Sequence, residues 1–204
     1  MSERFDTLFA GMSEETAMET LLKPPAELKN PGLKYLAATR LGACQSPESL
    51  QRLLAAGAND SDDLYERITR RKALEALGRR KDRSALPVLL AALQADDEPT
   101  VVNAADAIAR LSTPLDKEEQ TALLQALQGP DNQRRAVLQA FCRLGMNDAS
   151  GQIDHCRNDS NPLVAGAAHA YAVRVLGDQK GLHPLVEQLR DDNPGRRRAA
   201  VIDL

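Results

Sequence analysis

The stretch RRKALEALGRRKDRSALPVLLAALQADD, residues 70–97, decides the fold. Its first half places Ala73 four residues before Leu77. Its second half carries leucines at the i, i+3, i+4 and i+7 spacing of an amphipathic helix, namely Leu86, Leu89, Leu90 and Leu93. A basic turn joins the halves, and the pattern then starts again. The stretch is therefore either one hairpin of a helical domain or one copy of a repeated unit.

The Ala/Leu element recurs along the chain, which favours the repeat. An Ala stands four residues before a Leu at Ala37/Leu41, Ala73/Leu77, Ala107/Leu111, Ala140/Leu144, Ala172/Leu176 and Ala200/Leu204. Successive leucines are 28 to 36 residues apart, and the residue three before each Leu is apolar in every copy. Such a period indicates stacked structural repeats that share one helical face.

A second amphipathic segment follows the Ala/Leu helix in the complete units, for example SPESLQRLLAAG, KEEQTALLQALQG and GLHPLVEQLRDD. Strand patterns are lacking, and the small Ala side chains allow neighbouring helices to approach closely. The sequence predicts an all-α fold: a right-handed α-solenoid of about five to six helix-pair repeats. We expect an N-terminal helical cap over residues 1–30 and one continuous repeat domain over residues 31–204.

Both ends of the chain differ from the repeats. Phe5, Leu8, Phe9 and Met12 have helical spacing, and Ser13 before two glutamates is typical of a helix start, so this segment is predicted to close the first repeat. Residues 202–204 fall within the first helix of a sixth unit. We expect this apolar end to need a partner or a further tail.

Composition narrows the classes of function. The chain has 43% hydrophobic and 27% charged residues with a net charge of −3, so it lacks the basic excess of a nucleic-acid-binding protein. Its three cysteines show no CxxC spacing, which favours a reducing compartment over disulfides or zinc. Neither a signal peptide nor a membrane-inserted segment is indicated. We therefore expect a cytoplasmic protein without a metal site.

The opening stretch carries a family resemblance. Residues 3–41, ERFDTLFAGMSEETAMETLLKPPAELKNPGLKYLAATRL, resemble the N-terminus of the smaller, F-type subunit of the cyanobacterial E/F-type phycobilin lyases, which are built from HEAT-like repeats. Within that family the phycoerythrin-associated member is the most similar, and the phycocyanin-associated member is next. The resemblance extends over essentially the whole chain, but the opening motif is far more specific than the repeats.

The resemblance implies a lyase subunit that assists thioether attachment of a linear tetrapyrrole to a cysteine of a phycobiliprotein. It implies a larger E-type partner in a heterodimer, and a phycobilin, phycoerythrobilin in preference to phycocyanobilin, as a transient substrate without a permanently bound cofactor. A non-catalytic, chaperone-like protein that stabilises the acceptor or the partner lyase is the alternative. A generic repeat scaffold unrelated to pigments is a third reading.

A bilin carries propionates, pyrrole N–H groups and a long conjugated surface, so its site needs cations, an acceptor oxygen and a flat wall. On the Ala/Leu helices, the positions one and five before the Leu form a largely basic strip, which we expect on the concave face: Leu36, Arg40, Lys72, Ala76, Asp106, Arg110, Gln139, Arg143, Tyr171 and Val175. This strip is predicted to bind bilin or partner. A solvated helix face with ion pairs between repeats is the alternative.

Further candidates for bilin or partner binding surround the opening stretch. Arg67, Arg70 and Arg71 extend the basic run, for which a solvated surface is the alternative. Tyr65 could stack on a pyrrole ring or belong to the core. Four more cations are assigned to the turn between the helices, where solubility or a partner contact explains them: Arg79, Arg80, Lys81 and Arg83. The adjacent His155 and Cys156 point in different directions on a helix, and we expect structural roles for them. No catalytic residue is predicted.

Overall fold

The computed structural model describes residues 11–111, 114–147 and 149–204, and helices are the only regular elements in these ranges. The all-α prediction is thus confirmed for the described residues. Phe5, Leu8 and Phe9 of the predicted N-terminal cap lie outside them. The described residues divide into two compact units: unit 1 comprises those before residue 114, and unit 2 those from residue 114 to residue 204. The predicted boundary between cap and repeats at residue 30 stays a prediction.

Six α-helices are described in unit 1: α1 Glu14–Leu22, α2 Leu33–Leu41, α3 Pro47–Ala58, α4 Leu64–Arg80, α5 Leu86–Ala92 and α6 Glu98–Leu111. Short 3₁₀ turns cover Pro25–Glu27 and Arg83–Ala85. The Ala/Leu helices α2, α4 and α6 stack in order, and the second helices α3 and α5 pack against them. This is the helix-pair arrangement that the periodicity predicts.

Six more α-helices are described in unit 2: α7 Lys117–Gln125, α8 Asp131–Leu144, α9 Ser150–Asp154, α10 Pro162–Arg174, α11 Leu182–Gln188 and α12 Pro194–Asp203. Three 3₁₀ turns accompany them, at Ala126–Gln128, His155–Asn158 and Gln179–Gly181. Here α10 packs against both α8 and α12. The short α9 with its 3₁₀ turn takes the place of a second helix.

Small residues on the Ala/Leu helices bring the helix axes together. Ala73, Ala76 and Ala107 are fully or almost fully buried, as is Leu77. At Gly78 a Cβ atom would lie only 2.6 Å from the Cα of Ala107, so α4 and α6 meet backbone to backbone at this point. Gly78 therefore belongs to the helix interior, where its missing side chain is a packing requirement.

Polar side chains define the helix starts. Ser13, Ser46 and Asp63 accept hydrogen bonds from backbone N–H groups in the first turns of α1, α3 and α4, which satisfies donors that the helix itself leaves free. Asp116 forms a complete capping box with Glu119 at α7. The helix start predicted at Ser13 is thus confirmed.

Two predicted placements differ from the structure. Arg79 and Arg80 belong to α4 and not to the following turn, because the helix continues past Gly78 and ends where Lys81 adopts a left-handed conformation with φ 55°. Tyr171, predicted on the basic strip, is 1% exposed, and its hydroxyl donates to the carbonyl of Met146 at 2.5 Å. The strip therefore does not extend to Tyr171.

Within the described ranges, every helix is too short or too polar to cross a lipid bilayer.

Candidate functional site

The stripes outside the core on α2, α4 and α6, three helices that stack in order, provide a candidate surface in unit 1. The side chains that make up this surface all lie outside the core, and three of these side chains are large apolar or aromatic groups exposed by 40% or more. We call this surface the open face and define it by Tyr35, Arg40, Tyr65, Lys72, Glu75, Arg79, Val102, Asp106 and Arg110. It contains four of the strip residues that the sequence predicts.

Lys72 is the centre of the open face. Its Nζ donates to Oε2 of Glu75 at 2.7 Å and lies 5.0 Å from the ring centroid of Tyr35 on the neighbouring helix α2. The ammonium group is therefore held by a carboxylate and by an aromatic face at once. Its side chain is only 13% exposed, whereas that of Glu75 is 33% exposed.

Arg79 lies on the same stripe, one turn beyond Glu75. Its Nη1 is 3.8 Å from Oε1 of Glu75, which is an ion pair without a close hydrogen bond. Its Nε and Nη2 are buried and have no hydrogen-bond partner among the described residues. The guanidinium fits because Gly42 has no side chain: a Cβ there would lie 3.0 Å from Nη2 of Arg79.

The remaining charges of the open face are paired locally. Nε of Arg110 donates to Oδ2 of Asp106 one turn earlier on α6, at 2.5 Å. Nε of Arg40 donates to the carbonyl of Met12 at 3.2 Å, which connects α2 to the segment before α1. Tyr65, in the first turn of α4, is 41% exposed, so the structure places it on this surface and outside the core.

The arginines earlier in α4 have a different environment. Nη2 of Arg67 donates to Oδ1 of Asp97 at 2.6 Å, and Nε of Arg71 donates to Oδ2 of Asp97 at 2.9 Å. Asp97 also accepts the backbone N–H of Thr100 at 2.9 Å, in the first turn of α6. Arg67 and Arg71 thus bind one helix to the next through Asp97.

Asp97 is held as a carboxylate by these contacts. Burial alone would raise the pKa of Asp97, but hydrogen bonds from Arg71, Thr100 and Arg67 outweigh burial and lower this pKa far below its usual range. Nε of the neighbouring Arg70 donates to the carbonyl of Gly57 at 3.2 Å. Arg67, Arg70 and Asp97 line a polar groove of about 490 Å³ that also contains Asp60, Asp62 and Asp96, so acidic side chains outnumber basic ones in it.

Arg143 belongs to unit 2, where it lines a small cavity with Cys142, Arg174 and Asp203. Gln139, another strip residue, donates through Nε2 to Oδ1 of Asp203 at 2.9 Å. The Asp203 side chain is 2% exposed and is 3.7 Å from Nη2 of Arg135. Gln139, Arg135 and Asp203 thus connect α8 to α12, whereas Arg143 is exposed.

The three cysteine thiols are poor nucleophile candidates. Burial raises the pKa of Cys44, Cys142 and Cys156, so each is held in its thiol form at neutral pH. Burial, together with the charge of Arg157, also lowers the pKa of His169. The described residues contain no cluster of three or more His, Cys, Asp or Glu side chains suited to a metal ion.

Sequence reasoning missed four members of the open face: Tyr35, Glu75, Arg79 and Val102. Glu75 and Arg79 lie three and seven residues after Lys72, so the helical spacing already placed them on its stripe. Because the sequence analysis assigned Arg79 to the turn between the helices, Arg79 was not counted among the residues of the helix stripe. Tyr35 could not be found from spacing alone, because its position depends on how α2 packs against α4.

Comparisons with known proteins bear on both fold and family. A family model described as HEAT repeats matches residues 65–142. A phycocyanin operon protein Y of uncharacterised function, from Pseudanabaena tenuis, is 28% identical over the whole of this chain, and the match covers 48% of that protein. The bilin biosynthesis protein PecE of Nostoc sp. is 33% identical over 66% of this chain, and the match covers 53% of that protein. The chain spans about half the length of these curated relatives.

A solved structure agrees with these sequence matches. A chain of the CpcE–CpcF complex of phycocyanin lyase from Nostoc sp. superposes with a TM-score of 0.70 at 25% identity, over 94% of this chain and 75% of that one. The predicted α-solenoid of HEAT repeats is thereby confirmed. In sequence and fold the chain is similar to the phycobilin lyases, without a preference for the F-type subunit.

Proposed function

We propose that this chain is a subunit of a phycobilin lyase and assists the thioether attachment of a linear tetrapyrrole to a cysteine of a phycobiliprotein. The observation that carries the proposal is the structural match to the phycocyanin lyase complex over nearly the whole chain. The relatives named for bilin biosynthesis support the same substrate class.

The chemistry of the chain fits an assisting role. Thioether formation needs a thiol that adds to the bilin, and burial raises the pKa of all three thiols of this chain. The nucleophile is therefore the acceptor's cysteine. The subunit contributes orientation, by holding bilin and acceptor so that the thiol reaches the reacting carbon.

The finer assignments follow the opening motif of residues 3–41. We propose the smaller, F-type role, with a larger E-type subunit as partner in a heterodimer and phycoerythrobilin as the preferred bilin. The superposed chain comes from a complex of two lyase subunits, which supports the partner. The bilin is a transient substrate in this proposal, and the phycobiliprotein subunit is the acceptor.

The alternative is a chaperone-like protein that stabilises the acceptor or the partner lyase without catalysis. It is favoured by the absence, in the described part of the chain, of an activated thiol or a metal cluster. Orientation catalysis predicts covalent product, whereas stabilisation predicts more soluble acceptor even when bilin is omitted.

One co-expression experiment tests both functions. The chain, an E-type partner, an apo-phycobiliprotein and the enzymes that make phycoerythrobilin are expressed together, and covalent bilin is measured as fluorescence of the acceptor band on a denaturing gel. A strain without this chain is the control, and phycocyanobilin replaces phycoerythrobilin in a parallel strain. Covalent bilin no higher than in the control would contradict the lyase function. Unchanged acceptor yield without bilin would contradict the chaperone function.

A further inference from the structure

Two cations on the open face are spaced along a single helix and are separated by one carboxylate. Lys72 and Arg79 are seven residues apart on α4, which corresponds to about 10 Å along the helix axis. Glu75 lies between them, 2.7 Å from Nζ of Lys72 and 3.8 Å from Nη1 of Arg79. One acidic group thus faces two basic groups, and the cluster keeps a net positive charge.

Arg79 has unused hydrogen-bonding capacity. Its Nε and Nη2 lack acceptors among the described residues, and its contact with Glu75 is too long for a hydrogen bond. Because Nε and Nη2 are buried and the side chain is 28% exposed, Nη1 is the nitrogen of this guanidinium that a ligand can reach. A carboxylate that binds Nη1 gains a charge-assisted hydrogen bond without displacing a strong one, since the contact of Nη1 with Glu75 is 3.8 Å long.

An aromatic ring lies against Lys72, and two further large side chains are exposed on the open face. Tyr35 lies against Lys72 from the side of α2, and Tyr65 lies two turns before Lys72 on the same stripe of α4. Tyr35 is 40% exposed, Tyr65 is 41% exposed and Val102 on α6 is 43% exposed. Exposed flat groups beside paired cations suit a ligand that is planar, apolar and doubly acidic.

We infer that Lys72 and Arg79 form the cradle for the two propionate groups of the tetrapyrrole, with Tyr35 as part of the wall for its conjugated surface. Glu75 is a positioning residue that holds both cations toward the open face. This inference rests on the proposed function and adds the residues that contact the substrate. Arg67 and Arg71 are not part of this cradle, because both are paired with Asp97.

The test uses the purified full chain with biliverdin as probe and biliverdin dimethyl ester, in which both propionates are blocked, as its matched analogue. Binding is followed by the change in visible absorption during titration. We expect the wild-type chain to bind the free acid about ten-fold or more tightly than the ester, since charge-assisted hydrogen bonds are lost with the ester. Lys72→Gln with Arg79→Gln should bind both probes equally weakly.

The control variant is Arg52→Gln, which removes an exposed cation from the second helix α3 of the same unit. It should keep the preference for the free acid. Circular dichroism checks that all variants remain helical, and the single variants Lys72→Gln and Arg79→Gln serve if the double variant unfolds. Equal affinity of the wild-type chain for acid and ester, no binding of either, or an unchanged preference in the folded variants would overturn the inference.

The proposed function is tested separately, by measuring covalent bilin on the acceptor after co-expression with the partner and the acceptor. If the wild-type chain supports covalent attachment but shows no preference for the free acid, the propionate cradle is wrong and the lyase function stands. If the wild-type chain supports no attachment, the lyase function fails whatever the titration shows.

Discussion

Asp97 shows how one residue joins two repeats. It accepts hydrogen bonds from Arg67 and Arg71 on α4 and from the backbone of Thr100 at the start of α6. The three donors come from different turns of two helices, so the carboxylate fixes the position of one helix relative to the next. Its side chain is 13% exposed, which limits screening of these ion pairs by solvent.

We predict that Asp97→Asn destabilises unit 1 by about 1–3 kcal/mol at pH 7, because it leaves two partly buried guanidiniums without their carboxylate. The folded protein lowers the pKa of Asp97, so the carboxylate's contribution is present above its unfolded pKa of about 3.9 and is lost as pH falls toward the lower folded value. Urea unfolding of wild-type and variant chains should show a smaller difference at pH 3 than at pH 7.

The neighbouring Asp96 offers a matched control, since it is exposed and makes no ion pair in the described structure. Asp96→Asn should change the unfolding free energy by less than about 0.5 kcal/mol. A difference between wild-type and Asp97→Asn chains that stays the same at both pH values would refute the electrostatic explanation.

The burial of the cysteines gives a second prediction at this scale. Cys44 and Cys156 are 7% and 8% exposed, and burial raises the pKa of both thiols and that of Cys142. We expect Ellman's reagent at pH 7.5 to react slowly with all three thiols of the folded chain and rapidly after denaturation in urea. A fast phase in the folded chain would reveal an accessible thiolate and would reopen the question of a nucleophile in this subunit.

At the scale of elements, the sequence predicted the helix pairs well, because Ala and Leu recur at a helical period. It was less informative where a helix depends on its neighbours. Gly78 follows Leu77 and looks like a helix end, yet α4 continues to Arg80, because Gly78 packs directly against Ala107. The sequence gives no periodic signal for α9, which has only five residues.

The contact at Gly78 leads to a prediction about the element. Alanine is normally the better helix former, but a Cβ at residue 78 would lie 2.7 Å from the Cβ of Ala107. We therefore expect Gly78→Ala to destabilise the chain by about 1–3 kcal/mol through overpacking between α4 and α6. Thermal unfolding followed by circular dichroism measures this effect.

Gly151 in α9 provides the matching control. No atom lies within 4 Å of the position of its Cβ, so Gly151→Ala adds helix propensity without a clash. This variant should be as stable as wild type, or more stable by up to about 1 kcal/mol. Equal effects of the two substitutions would show that propensity, and not helix contact, determines the outcome at Gly78.

The candidate site was predicted only in part, and the reason is physical. Lys72, Asp106 and Arg110 follow from spacing on single helices, since residues four apart share a face. Arg67 and Arg71 are ion-paired because they contact Asp97, which is 26 or more residues away along the chain. Contacts between repeats decide which cations are paired and which remain available, and one sequence does not contain that information.

At the scale of the molecule, the chain divides into two compact units, each with its own core. Leu53, Leu74, Leu77 and Ile108 are fully buried within unit 1. In unit 2 the corresponding residues are Leu138, Phe141, Val164 and Tyr171, each at most 1% exposed. Repeat proteins derive their stability from contacts between adjacent repeats, so a unit that retains several of these contacts is expected to fold by itself.

We predict that residues 1–113 and residues 114–204, expressed separately, are each helical and unfold cooperatively on heating. A fragment of residues 1–60 is the control: it keeps α1, α2 and α3 but ends before α4, the helix against which α2 and α3 pack. This control should have low helicity and no sharp transition, since three short helices without the next repeat bury too little apolar surface. Circular dichroism and calorimetry distinguish the outcomes. If residues 1–113 are unfolded alone, the cooperative unit is larger than the compact unit.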